Sequence, residues 1–202
     1  MKRIATALMG ALWLAMTLTS CGGSQASIFY ALNPMDAYAS AAQKVTKGLR
    51  IGVGPVRLPD YLNRPQIVVR EGENRLVVDE FHRWGGALED EILRILTENL
   101  GALLGSDQVR VYADDFGRPD YRVTVSLQRF EGVDNREAQL KASWAILQPR
   151  TGDVLKTREG LFRAPVMEPE DYEKIVSAQS EALAALSREI AVDIHRLHSG
   201  LR

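Results

Sequence analysis

The stretch YRVTVSLQRF, residues 121–130, decides the fold, because its apolar and polar side chains alternate from Val123 to Leu127. Alternation with a period of two is typical of a strand that buries one face. The same rhythm returns over residues 138–146, and the turn at 149–152 then leads into a further strand over 154–162. Three consecutive strands joined by short turns predict an antiparallel meander.

Shorter strands are predicted upstream of this meander. Residues 28–32 form a short apolar run, and residues 49–53 alternate, although glycines weaken that strand. Two β-rich runs at 66–70 and 75–79 are separated by Glu71-Gly72-Glu73-Asn74, which predicts a hairpin. A last short strand is predicted over residues 109–112.

Two stretches have the apolar period of a helix. From Trp84 to Leu104 a leucine and isoleucine stripe opposes acidic residues that cluster in the early turns, and Gly105 is a natural stop. The second stretch begins near Pro169, which suits a first helical position, and keeps its stripe to Leu197. The order of elements predicts an α+β fold: a two-layer sandwich with a mostly antiparallel sheet and two long amphipathic helices on one face.

The amino terminus has the pattern of a targeting segment. Lys2 and Arg3 precede an apolar or small run over residues 4–18, which is too short for a comfortable membrane span. The next residues complete the sequence LTSC at 18–21, which resembles the lipobox of bacterial lipoproteins. That resemblance implies cleavage before Cys21, a diacylglycerol on its thiol and an acylated new amino terminus. The alternative is that Cys21 is a free thiol behind a conventional cleavage site.

These observations divide the chain into a signal peptide at 1–20, a lipidated tether at 21–27 and a single domain at 28–202. Removing the first twenty of 202 residues leaves 182, with 23 Lys and Arg against 26 Asp and Glu. A net charge of about −3 argues against nucleic acid as a partner, since that binding needs a basic face. With no second cysteine, the domain contains no disulfide, and a chain of this length needs none.

The search for chemistry finds no catalytic pattern. There is no Gly-x-Ser-x-Gly turn, and the chain has three histidines, of which His195 and His198 stand one helical turn apart. We interpret this pair as solvated residues near a helix end rather than metal ligands. Gly52-Val53-Gly54 lacks the third glycine of a dinucleotide site. We therefore expect no enzyme, no cofactor and no metal, while a hydrolase with an unmarked site stays an alternative.

Two segments are candidates for contact with a partner. The loop at 56–66 contains two prolines, which stiffen it, together with a tyrosine and two arginines, residue types that dominate interface energetics. The second segment, Glu80-Phe81-His82-Arg83-Trp84, groups aromatic and cationic side chains. Alternatively, Phe81 and Trp84 cap the core with Arg83 stacked on a ring. The candidate partner-binding residues are Pro59, Tyr61, Arg64, Pro65, Gln66, Phe81, Arg83 and Trp84.

The same segments carry a resemblance to a known family. The lipobox, FYAL at 29–32, IGVGPVRLPDYLNRPQIVVR at 51–70 and EFHRWGGALEDEILRILTENL at 80–100 resemble the ABC-type transport auxiliary lipoproteins. The match is closest to the branch that accompanies MCE-domain proteins in Gram-negative bacteria. The chain departs from the family pattern at Asn63, where Asp is frequent, and at Gly85-Gly86, where Ala-Glu is more usual.

The resemblance implies a lipoprotein without enzymatic activity that faces the periplasm in an intermembrane lipid transport system. It implies an MCE-domain, periplasm-spanning protein as partner, and an anchor in the outer membrane. Gly22 is consistent with an outer-membrane anchor. An Asp at this position, directly after the lipidated cysteine, would resemble an inner-membrane retention signal. Homo-oligomerisation is a further expectation. The alternative from another functional class is a lipid carrier with an apolar pocket between sheet and helices.

Overall fold

The computed structural model describes residues 25–36, 48–113, 117–168 and 171–200 of the chain. This part contains an eight-stranded sheet, two α-helices and one short 3-10 helix at Asp60–Leu62. The strands are β1 Ile28–Tyr30, β2 Ile51–Arg57, β3 Gln66–Glu71, β4 Arg75–Trp84, β5 Val109–Val111, β6 Tyr121–Val133, β7 Glu137–Leu147 and β8 Val154–Pro165. The helices are α1 Leu88–Leu104 and α2 Tyr172–Gly200.

The sheet is organised around the long strand β6. One edge of β6 pairs antiparallel with β7, which pairs antiparallel with β8, so the predicted meander is confirmed. The other edge runs parallel first to β2, with Val53 opposite Val123, and then to β3, with Val69 opposite Gly132. Strand β5 adds to β2 in parallel, β4 forms a hairpin with β3, and β1 adds to β4 in parallel. The long ladders are antiparallel, as predicted, and the parallel ones are short.

Both helices cover the same face of the sheet. Helix α2 packs on β6, β7 and β8, helix α1 packs on β2 and β5, and the helices pack on each other. Every second side chain of β7 from Ala138 to Ile146 is buried beneath them. The predicted two-layer α+β architecture is therefore confirmed.

The prediction of a helix from Trp84 is wrong. The backbone N–H of Trp84 donates to the Pro65 carbonyl at 2.7 Å, and that of Gly85 donates to the Tyr30 carbonyl at 2.7 Å. These hydrogen bonds keep the chain extended to the end of β4. Helix α1 therefore begins only at Leu88, after Ala87, whose backbone is also extended. The apolar period continued backwards from α1 into the strand, which produced the error.

The sequence also predicts that the second helix begins near Pro169. Residues 169–170 lie outside the described residues, so the role of Pro169 stays a prediction. In the described part, α2 begins at Tyr172, and the Asp171 carboxylate accepts a hydrogen bond from the Glu173 N–H at 2.8 Å. This is the geometry of a helix N-cap.

The chain that follows β1 is fastened across both helices. Leu32 is buried in the core. The N–H of Asn33 donates to the Ser180 hydroxyl of α2 at 3.1 Å, and the N–H of Met35 donates to the Asn99 side-chain oxygen of α1 at 2.9 Å. The amino-terminal end of the domain is thereby fixed to its helical layer.

Candidate partner-binding surface

The loop between β2 and β3 is stiff, for reasons visible in its backbone. Pro59 precedes the 3-10 helix, and the Leu62 N–H donates to the Pro59 carbonyl at 3.0 Å. The Arg64 N–H donates to the Leu62 carbonyl at 2.8 Å. The Leu62 side chain is buried and ties the loop to the core. A loop held by its own hydrogen bonds and one apolar anchor presents its exposed residues in a single arrangement.

A buried carboxylate fixes this loop from below. Glu131 of β6 is fully buried, and the Arg70 guanidinium of β3 donates to it at 2.7 Å. The Tyr61 hydroxyl donates to the other carboxylate oxygen at 2.7 Å, and the Phe130 N–H donates to the same oxygen at 3.1 Å. A buried charge is tolerated only when it is paired and hydrogen-bonded, and Glu131 has both kinds of partner. The loop is therefore attached to β3 and β6 through Tyr61.

Tyr61 has a supporting position rather than the free contact position that its residue type suggested. Burial, followed by the hydrogen bond to Glu131, raises the pKa of Tyr61 well above its usual value of 10.0. The phenol therefore stays a neutral donor to a higher pH than an exposed tyrosine does. Its ring is half-buried against the core, so only part of it faces solvent.

The two candidate segments meet in the structure. Gln66 lies opposite Arg83 in the β3–β4 ladder, and its side-chain amide donates to the Glu80 carboxylate at 3.0 Å. Arg83 donates through Nε to the Glu80 carbonyl at 2.8 Å. Together with the bond from the Trp84 N–H to Pro65, these contacts join the loop to the end of β4. We call the resulting patch, formed by residues 59–66 and 80–84, the loop–strand surface.

Trp84 lies in the core, in agreement with the alternative interpretation of this segment. Its side chain is only 3% exposed and stacks on Phe130, with ring centroids 6.4 Å apart. A residue this buried supports the surface from below. Arg83 binds Glu80 rather than stacking on a ring, and Phe81 is half-buried.

Among the candidate residues, Arg64 and Pro65 are exposed, with Pro59 and Gln66 half-buried beside them, and Asp60, Asn63 and Glu80 of the same surface are also exposed. In the described part of the chain, the Arg64 side chain has no hydrogen bond or ion pair. Because the backbone of the loop is already ordered, it loses little entropy when the loop binds a partner. The free guanidinium of Arg64 is well suited to pairing with a carboxylate. Arg64 is accordingly the residue of this surface that is best placed for direct contact.

His82, which is not among the candidate residues, lies between two tyrosine rings. The Tyr30 hydroxyl lies 2.8 Å from its Nδ1, and its ring stacks on Tyr172 with centroids 3.9 Å apart and planes 8° from parallel. Burial, assisted by Asp79, raises the pKa of Tyr172 to about 12. The three rings join β1, β4 and the start of α2, and no local sequence signal places them together.

The first glycine of Gly52-Val53-Gly54 allows close packing. A Cβ on Gly52 would lie 2.6 Å from the Tyr112 ring, whose face carries the Arg122 guanidinium at 3.9 Å from the ring centroid. The segment is part of strand β2 and not a strand-to-helix turn. The interpretation of this segment as a strand is confirmed.

The space between the two layers is filled by side chains. Ile51, Ile95, Leu140 and Leu183 are all fully buried there. A groove of about 530 Å³ lies at the surface between residues 33–36 and α2, and its lining includes Asn33, Ser180 and Arg188. A lipid carrier would need the core side chains to move apart.

Neither of the two helices in the described residues is long and apolar enough to cross a membrane. Within the same ranges no three His, Cys, Asp or Glu side chains gather as metal ligands.

The fold and the loop–strand surface define a class of α+β domains in which two helices cover a sheet and a proline-bracketed loop is fixed beside a strand end. Residues 30–191 match the family of ABC-type transport auxiliary lipoprotein components, and the chain belongs to that family. The resemblance found in the sequence is confirmed.

Solved structures support the same architecture. The crystal structure of protein XCC0632 from Xanthomonas campestris superposes with a TM-score of 0.69 at 18% identity, covering 82% of this chain and 93% of that one. The crystal structure of an uncharacterized protein gives a TM-score of 0.67 at 18% identity and covers 84% of this chain and 99% of that one. At such identities the similarity shows the fold alone. Comparison with curated proteins finds no match.

Proposed function

We propose that this lipoprotein is an adaptor of an MCE-type intermembrane lipid transport system. Acyl chains on Cys21 would hold it at the periplasmic face of the outer membrane, and the loop–strand surface would dock a periplasm-spanning MCE-domain protein. Its work would be to tether and align a lipid conduit, without catalysis and without a cofactor. Homo-oligomerisation stays a prediction.

Membership of the transport auxiliary lipoprotein family supports the coarse part of this proposal. The amino-terminal sequence supports the anchor, because LTSC resembles a lipobox and the following GGSQAS has the composition of a tether. Two or three acyl chains hold a protein to a membrane far more firmly than a single chain. The choice of the outer membrane rests on Gly22.

The observation that carries the docking surface is the buried attachment of the loop through Tyr61 and Glu131, at 2.7 Å. A buried charge is costly even when it is paired, so its presence in the core supports a structural role for Glu131. Here the charge keeps Arg64 and Pro65 exposed at a fixed position beside β4. A surface that is ordered before binding loses less entropy on association.

The burial of the candidate residues supports different proposed tasks for them. Arg64 and Pro65 would contact the partner directly, and the half-buried Pro59, Gln66, Phe81 and Arg83 would form the rim. Tyr61 and Trp84 would support the surface from below. Replacing Tyr61 would therefore test stability as well as docking, and Arg64→Ala is the cleaner variant.

The test is capture from detergent-solubilised membranes with the wild-type lipoprotein, an Arg64→Ala variant and a matched Arg188→Ala control. Arg188 is an exposed arginine on α2, away from the loop–strand surface. We expect the wild type and the control to capture an MCE-domain protein, and Arg64→Ala to capture at least several-fold less. If the wild type captures none, the adaptor role is wrong; if Arg64→Ala captures as much as the control, only the choice of surface is wrong.

A further inference from the structure

The face of the sheet opposite the two helices is basic. Side chains at alternate positions of β6, β7 and β8 point to this open face, because the side chains between them are directed at the helical layer. Apart from the buried Glu131, which is paired with Arg70, cations outnumber carboxylates on the open face of β2, β6, β7 and β8. The cations are Arg57, Arg122, Arg129, Lys141 and Arg163, and the carboxylates are Glu137 and Glu159.

Ion pairs neutralise only part of this face. Lys141 pairs with Glu159 at 2.9 Å, and Arg163 pairs with Glu137 at 3.5 Å. The other three arginines of the face have no carboxylate within salt-bridge distance among the residues that the structure describes. Unpaired positive charge is therefore concentrated along β2 and β6.

A shallow trough of about 300 Å³ lies among these charges. In the described part of the chain, the hydroxyls of Thr124, Ser126 and Thr157 form no hydrogen bond, and that of Ser143 accepts one from the Gln128 amide at 3.2 Å. Within the same part, two arginines and no carboxylate contribute to the lining. The lining includes Arg57, Arg122, Thr124, Ser126, Ser143 and Thr157.

Neutral groups hold one of the two arginines in place. The Nε of Arg122 donates to the Gly54 carbonyl at 3.0 Å, and its guanidinium lies over the Tyr112 ring, 3.9 Å from the centroid. These contacts fix a half-buried side chain and leave its terminal nitrogens without a partner among the described residues. Arg57 is exposed and, in that same part of the chain, has no hydrogen bond or ion pair. The trough thus combines a preorganised guanidinium with one that is free to close on a ligand.

The chemistry of the trough selects an anion with many acceptor oxygens. Both guanidinium groups and all four hydroxyls of the lining can donate hydrogen bonds. A phosphodiester offers more acceptor oxygens than a carboxylate, and arginine binds phosphate through paired N–H groups. We propose that this trough binds the phosphate of an anionic phospholipid headgroup.

The choice of a lipid rather than free phosphate rests on the membrane anchor in the proposed function. An anchored domain meets headgroups at a high effective concentration, so a shallow site of modest affinity suffices. No residue of the loop–strand surface contributes to the described lining of the trough. The headgroup and the protein partner would therefore be bound at different places on the domain.

The test is a nuclear magnetic resonance titration of the full acylated protein in non-ionic detergent micelles. The titrants are dihexanoylphosphatidylglycerol, dihexanoylphosphatidylcholine and inorganic phosphate. The reporting signals are the Arg122 Nε–H and the backbone N–H groups of Thr124 and Ser143. An Arg57→Gln variant removes one arginine of the trough. Arg129→Gln is the matched control, because it removes the same charge from the same face outside the trough.

We expect phosphatidylglycerol to shift all three signals and to saturate at a several-fold lower concentration than phosphatidylcholine or inorganic phosphate. Arg57→Gln should weaken that binding several-fold, and Arg129→Gln less than twofold, with thermal unfolding showing both variants to be folded. Equal responses to the two lipids, or equal losses from the two substitutions, would overturn the headgroup site. Saturation by inorganic phosphate at the same concentration as the lipid would overturn the lipid as its source.

This site and the adaptor role fail separately. The titration contains no partner protein, so signals that phosphatidylglycerol leaves unshifted would refute the headgroup site and leave the adaptor role intact. Failure to capture an MCE-domain protein would refute the adaptor role and leave the site intact. Mass spectrometry of the same preparation reads the acylation of Cys21, and a chain without the diacylglycerol mass would refute the anchor and the choice of a lipid with it.

Discussion

At the scale of single residues, Glu131 organises the candidate surface. It is a carboxylate with no exposure, and it binds a guanidinium, a phenol and a backbone N–H from three places in the chain. Because the Tyr61 phenol belongs to the loop, both the stability of the domain and the position of the loop depend on the Glu131 carboxylate. A change at Glu131 should therefore affect both.

We predict that Glu131→Ala lowers the free energy of unfolding by about 3 kcal/mol, because the mostly buried Arg70 guanidinium loses its carboxylate and the Tyr61 hydroxyl and Phe130 N–H lose a shared acceptor. Tyr61→Phe removes only the hydroxyl, which bonds Glu131 and the Gln128 carbonyl, and should cost about 1 kcal/mol. Urea unfolding followed by circular dichroism measures both. Equal effects of the two substitutions would contradict a central role for the carboxylate.

Tyr172 gives the domain a dependence on alkaline pH. Its pKa is raised to about 12 in the folded protein, mainly by burial, whereas an unfolded tyrosine ionises near 10. The folded state therefore keeps a proton that the unfolded state loses, and stability falls as pH rises from about 10 to about 12. Below pH 10 this contribution is fully present.

We predict that Tyr172→Phe makes the decline in melting temperature between pH 10 and pH 12 shallower than in the wild type. Calorimetry over that pH range measures it. Tyr30, Tyr61 and Tyr121 stay in place and provide the remaining decline, since the pKa of each is also raised. Identical pH profiles for wild type and variant would show that Tyr172 does not supply the effect.

At the scale of elements, a second buried carboxylate attaches helix α2 to the meander. Asp193 of α2 accepts a hydrogen bond from the Trp144 indole N–H of β7 at 3.1 Å and pairs with Arg158 of β8 at 3.3 Å. Its side chain is 1% exposed, whereas Glu189, which pairs with the same arginine at 2.8 Å, is 44% exposed. One arginine thus has a buried and an exposed partner.

This contrast yields a matched prediction. Asp193→Ala should cost about 2 kcal/mol of unfolding free energy, because it leaves the buried Trp144 N–H without an acceptor. Glu189→Ala should cost less than about 1 kcal/mol, since solvent screens an exposed pair. Chemical denaturation of the two variants provides the comparison. A larger loss of unfolding free energy from Glu189→Ala than from Asp193→Ala would contradict the prediction.

Two glycines differ in how closely they are packed. A Cβ on Gly132 of β6 would lie 2.9 Å from an Ile175 methyl group of α2, whereas a Cβ on Gly86 would meet nothing within 4 Å. We predict that Gly132→Ala destabilises by about 1–3 kcal/mol through overpacking. Gly86→Ala should be neutral or slightly stabilising. Thermal unfolding distinguishes them, and a large loss from Gly86→Ala would show an unrecognised constraint before α1.

The elements that could be predicted are those whose burial leaves a local period. The meander of β6, β7 and β8 alternates because one face is covered, and α1 and α2 carry stripes for the same reason. The parallel pairings of β2 with β6 and β1 with β4 join distant parts of the chain, and no local pattern specifies them. The end of β4 was misread because Trp84 is apolar at a position that also fits the period of α1.

The candidate surface was predictable in outline and not in its chemistry. The prolines indicated a stiff loop, and the loop is stiff. Glu131 was missed because a charged residue in a strand normally faces solvent; its only signal is the loss of alternation at Phe130-Glu131-Gly132, where three consecutive residues are buried. Tyr61 and Trp84 were read as contact residues because residue type reports interface propensity without reporting burial.

At the scale of the whole molecule, the chain combines a proposed anchor, a short tether and a rigid domain that belongs to the transport auxiliary lipoproteins. The tether ends at β1, and β4 carries both β1 and part of the loop–strand surface. The end of the domain that follows the tether is therefore joined to the loop–strand surface through two strands.

The most direct test of the adaptor role is a photo-crosslinking amino acid placed at position 64 in growing cells, with position 188 on α2 as the control. We predict that position 64 forms an adduct with an MCE-domain protein, identified by mass spectrometry, and that position 188 does not. No MCE adduct at position 64, while the lipoprotein is folded and anchored, would contradict the account.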